Sequence, residues 1–134
     1  MFNLSEFQDT DSADVVIKHP ATGAPTEAVV TVAGPEHPKR KAIVFDRQRK
    51  LRRHLTKTGK LEFTDPAEEE VEETDLLAVC TLGWSGIAVD GKEVPYSREA
   101  AAKLYADPAL RWFRAQVKAA LEEKELFIKP SSKN

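Results

Sequence analysis

The chain has 134 residues, 41% of them hydrophobic and 31% charged, a globular composition able to bury about two-thirds of the surface its unfolded form exposes. A formal net charge of -2 gives no overall attraction to nucleic acid or an anionic membrane, and a single cysteine, Cys80, excludes an internal disulfide. No apolar run approaches the ~20 residues that a membrane-spanning helix needs. The acidic stretch from Met1 to Asp14 lacks the basic-then-apolar layout of a signal peptide, so the expected location is the cytosol.

In chain order, residues 1–13 are polar with scattered Phe2, Leu4 and Phe7 and read as a flexible arm. Asp14 to Lys18 and Glu27 to Ala33 are short β-branched runs around a turn-rich HPATGAPT, the pattern of an antiparallel hairpin. Two strands alone are marginal, so this hairpin must lean on helices or pair with a neighbour's edge. From Lys39 to about Thr58 the period changes. Ile43, Arg47, Leu51 and Leu55 recur every four residues, which predicts a helix with one narrow apolar stripe, closed by Gly59.

Asp65-Pro66 starts a second helix, acidic first and then apolar through Leu76, Leu77, Val79, Cys80 and Leu82, with Gly83 as its end. Ile87 to Val94 reads as a tight hairpin around Asp90-Gly91. Ser97 caps a short helix through Ala106. Asp107-Pro108 then repeats the start signal for a final helix to about Lys124, with Trp112, Gln116 and Ala120 on one line and Phe113, Val117 and Leu121 on the next. The expected fold is α+β and mainly helical, an N-terminal β-hairpin followed by about four helices. It occupies residues 14–128 as a single domain, with 129–134 a frayed tail.

Chemistry-bearing constellations are sparse. His19, His37 and His54 are far apart, and His19 and His37 each precede a proline, which suits turn residues better than metal ligands. Asp90-Gly-Lys-Glu93 lacks the alternating acids of a calcium loop, and no glycine pattern matches a phosphate loop. Cys80 lies in an apolar helical run, where a lone cysteine is a small buried hydrophobe. Neither enzymatic activity nor a cofactor or metal site is expected. Trp84, in a Gly-Trp-Ser-Gly corner, reads as a plug of the core or, if exposed, an interface anchor.

Charge segregation is the outstanding feature. Half of the 20 Lys and Arg fall between residues 39 and 60, and eight acids follow between 62 and 75. One reading is an antiparallel helix pair with facing opposite charges, each surface pair worth a few tenths of a kcal/mol. Another is a docking surface for an acidic protein, carried by Arg47, Arg49, Lys50, Arg52, Arg53 and Lys57, with Trp84 as an anchor. Nucleic acid is the weaker partner, because the adjacent acids would repel it.

Several segments in order, Lys18-His-Pro-Ala-Thr-Gly23, Ala33-Gly-Pro-Glu-His-Pro38, Leu82-Gly-Trp84, Asp90-Gly-Lys-Glu-Val-Pro-Tyr-Ser97, Leu104-Tyr-Ala-Asp-Pro108 and Trp112 to Val117, span most of residues 14–128. On these the chain resembles the small tail assembly chaperones of long-tailed bacteriophages. The resemblance implies a late, non-enzymatic protein of the host cytoplasm that coats the tape measure protein, helps recruit tail tube subunits and needs no cofactor. It implies a mostly helical fold after an N-terminal β element. A structural part of the tail or its connector, and a nucleic-acid-binding or host-inhibiting phage protein, are the alternatives.

Overall fold

The computed structural model describes residues 1–60 and 65–131. Its elements are β1 (Phe7–Asp9), β2 (Ser12–Lys18), β3 (Pro25–Ala33), α1 (Pro38–Thr58), α2 (Pro66–Cys80), β4 (Thr81–Ser85), β5 (Ala88–Val89), β6 (Lys92–Glu93), α3 (Arg98–Ala106), α4 (Arg111–Glu122) and β7 (Ile128–Pro130). The expected α+β fold, an N-terminal hairpin followed by four helices, is what forms.

Local chemistry accounts for most boundaries. His19 Nδ1 accepts the Ala21 and Thr22 amides and so ties the turn between β2 and β3. His37 Nδ1 caps α1 through the Lys39 amide, and Gly59 closes that helix in the left-handed conformation. Asp65 caps α2, Ser97 caps α3, and Asp107 caps the short 3-10 turn that leads into α4. Asp90 and Gly91 both have positive φ, which a two-residue type I′ turn between β5 and β6 requires.

β2, β3 and β4 form an antiparallel sheet with β3 in the middle. Its alternating inward residues, Ala13, Ile17, Val30 and Val32, are buried against Phe113, Val117 and Leu121 of α4, Leu77 and Cys80 of α2, and Ala101 and Tyr105 of α3. One polar chain threads this core. The Tyr105 hydroxyl donates to Thr81 Oγ1 at 2.6 Å, since the Thr81 hydroxyl already donates to the Leu77 carbonyl at 2.8 Å. The Tyr96 hydroxyl donates to the Thr81 carbonyl.

Burial pushes the Tyr105 phenol up to about 12. The folded value therefore lies above the unfolded one of about 10. The contribution to stability is complete below about pH 10 and is lost as pH rises from 10 towards 12. Urea denaturation at about pH 9 and about pH 11.5 should show a loss of about 2 kcal/mol that Tyr105→Phe largely abolishes; an equal loss in the variant would assign the effect to other groups.

Three sequence expectations are corrected. The second helix stops at Cys80 instead of running to Leu82, because Thr81–Ser85 pairs with the free edge of β3. Residues 1–13 are not all arm: Ser12 and Ala13 open β2, and Phe7–Asp9 pairs antiparallel with Ile128–Pro130. The latter pairing also takes residues 129 and 130 out of the expected frayed tail. The Ser131 amide continues the closure by donating to the Glu6 carbonyl, whereas residues 132–134 lie outside the described residues.

Candidate protein-binding surface

The 21-residue helix α1 is about 31 Å long, yet none of its residues is buried. Its first turns are fastened to the body. Arg40 donates to the carbonyls of Ala33 (3.0 Å) and Leu121 (2.8 Å), and its guanidinium lies 5.7 Å from the Phe127 ring centroid. Arg47 is half-buried and donates to the Glu72 carbonyl of α2. Beyond Arg47 the helix extends alongside the exposed start of α2.

The two charged segments do pack as neighbouring helices, but the ion pairs described for α2 run elsewhere. Glu70 and Glu73 meet Arg114, and Glu73 also meets Lys118 at 2.5 Å, both cations belonging to α4. Arg114 is itself buried and donates to the Tyr105 carbonyl, so these acids balance a cation held in the core. The Glu73 hydrogen bond holds the Lys118 ammonium above its ordinary value.

Among the described residues, that arrangement leaves the outer side of α1 without an ion-paired carboxylate. Arg49, Arg52, Arg53 and Lys57 are exposed and make no ion pair among the described residues, while Lys50 meets Asp46 one turn back at 3.2 Å. Phe45, Arg49 and Arg52 follow at the i, i+4, i+7 spacing of one helical stripe, on the side opposite Ile43 and Arg47. Phe45 is 46% exposed, an aromatic ring set among cations. Phe45 is the residue sequence reasoning missed. Its signal was present, since it falls off the four-residue apolar stripe that begins at Ile43.

Trp84 is placed apart from this stripe. It is half-buried on β4, its indole N–H donating to the Val94 carbonyl at 2.8 Å and its ring meeting Tyr96 edge-on at 5.1 Å. Of the sequence-predicted contact residues, α1 therefore presents Arg49, Lys50, Arg52, Arg53 and Lys57, and commits Arg47 to α2. The hairpin's second strand presents no open edge at Val29–Val32, because β4 pairs with it. At the end of β2, the Gln116 side-chain amide bonds both the N–H and the carbonyl of Lys18.

Cys80 is fully buried, and desolvation pushes its thiol above the ordinary value, with Arg40 and Arg47 opposing. Among the described residues no three His, Cys, Asp or Glu are grouped to hold a metal ion, and no helix is long and apolar enough to cross a membrane. Comparison with known proteins finds no family model, no curated protein and no solved structure that matches this chain.

Proposed function

We propose that the protein is a non-enzymatic assembly factor that holds an acidic segment of a partner protein on the outer face of α1. The observation that carries this reading is the exposed Phe45–Arg49–Arg52 stripe, flanked by Arg53 and Lys57, on a helix anchored only at its start and along α2. Guanidinium groups that meet no carboxylate among the described residues are ready to take one from a partner in paired hydrogen bonds, and the phenyl ring supplies apolar contact between them. With the sequence resemblance, the specific form of the proposal is a phage tail assembly chaperone. Its partner is the tape measure protein, it assists tail tube assembly, and it works in the host cytoplasm.

Co-expression with the tape measure protein of the same genome, followed by a pull-down, tests this directly. The partner is expected to become soluble and to co-purify. Arg49→Glu/Arg52→Glu/Arg53→Glu should weaken that binding at least tenfold, about 1.4 kcal/mol or more, with helical circular dichroism unchanged. A tape measure protein that stays insoluble, while this chain is retained in purified virions, makes it a structural tail part instead.

Phe45 among arginines also favours a second reading, contact with single-stranded nucleic acid through stacking and phosphate pairing. A gel shift at low salt that fades at moderate salt would support it; its absence removes that reading.

A further inference from the structure

The opposite side of α1 carries a different surface. There α1 and α2 diverge into a groove of about 670 Å3, with Ile43 and Leu51 on its apolar part. One wall carries Arg47 and Lys50 from α1, with Asp46 beside Lys50; the other is acidic, with Glu68, Glu72 and Asp75 from α2. Leu51 is 51% exposed, and Val71, beside Glu68 and Glu72 on α2, is 60% exposed. Helices in proteins owe most of their stability to burying an apolar stripe, and here a 21-residue helix carries such a stripe with no residue buried. What covers the groove must set acids against α1, cations against α2, and apolar side chains between.

A second copy of the same helix pair meets all three demands. We infer that α1 and α2 form the two-fold interface of a homodimer, in which α1 of each copy packs against α2 of the other. Two-fold symmetry makes the match reciprocal: on the groove side α1 offers Arg47 and Lys50 beside one acid, Asp46, while α2 offers Glu68, Glu72 and Asp75. Each groove wall then faces its opposite in charge twice over. Leu51 and Val71 enter the centre of a four-helix arrangement. Two helices side by side over this length offer on the order of 500–600 Å2 per copy, at the lower edge of stable interfaces, so a micromolar dimer is expected. The Phe45–Arg49–Arg52 stripe stays outside this interface, and the inference is independent of the partner proposed above.

Sedimentation equilibrium of the full chain up to roughly 200 µM decides the matter. The expected mass is twice 14.9 kDa, and Leu51→Asp, at a half-exposed site, should weaken association at least tenfold with the helical signal retained. Lys50→Glu sets an acid on the α1 wall of the groove, and Glu68→Lys/Glu72→Lys sets two cations on the α2 wall. Each variant alone should be monomeric, and their equimolar mixture should restore the dimer. A wild-type chain that remains monomeric overturns the inference. So does a dimer that Leu51→Asp leaves intact, and so does a mixture that associates no better than either variant alone.

Discussion

Phe127→Ala is expected to lower the free energy of unfolding by about 3–5 kcal/mol, the usual cost of emptying a buried phenylalanine site. Phe127 is 1% exposed and lies where three separate parts of the chain meet. Its carbonyl accepts the Thr10 amide at 2.7 Å and the Thr10 hydroxyl at 3.0 Å, and the Arg40 guanidinium lies over its ring. Truncation opens a cavity and strips Arg40 of its aromatic partner, worth about 0.5–1 kcal/mol more. For a domain with about 5–15 kcal/mol of stability this is a large fraction. The urea midpoint of Phe127→Ala should fall steeply. That of Phe127→Leu, which refills most of the volume, should recover over half of the loss. Equal losses in the two variants would mean that the aromatic ring, and not the filled volume, is what matters.

Gly86→Ala should cost a comparable amount, about 3 kcal/mol or more, although it adds only one methyl group. Gly86 has φ +68°, and a Cβ there would fall 2.3 Å from the Glu27 carbonyl oxygen of β3. The left-handed conformation alone costs an alanine roughly 1–2 kcal/mol, and relieving a backbone clash adds another ~1–3 kcal/mol. The contact lies at the end of β4, so the strain should loosen the β3–β4 pairing first. Faster hydrogen exchange at Trp84 and Ser85 amides, together with a lowered melting temperature, is the expected signature. A variant that melts with the wild type would show that this corner can shift freely.

What the sequence made legible was set by short-range chemistry. Asp65, Ser97, Asp107 and Gly59 act on amides or carbonyls within four residues, so their roles follow from spacing alone. The strand Thr81–Ser85 was not legible. It follows α2 without a break, its Leu82 continues the apolar run from Leu76, and only the free edge of β3 turns it into a strand. β1 and β7 were hidden for the same reason: each is three residues long and exists only through a partner over a hundred residues away. Of the candidate surface, the charge segregation was plain from the composition of residues 39–75. Its resolution into two faces was not. That depended on Arg114 and Lys118 of α4 engaging Glu70 and Glu73, which no local pattern announces.

The pairing of Phe7–Asp9 with Ile128–Pro130 bears on when this protein can finish folding. Both β2–β3 and the α1–α2 pair are local and can form early, but α4 packs on β2 and β3, and Phe127 completes the core beneath Thr10. Contacts between such distant positions raise the contact order and slow the search for the native state. On a ribosome, the sheet face that α4 will cover stays exposed until residues near 127 have emerged. During that interval Ile17, Val30 and Val32 are apolar surface in need of cover, the condition under which a nascent chain is prone to aggregate.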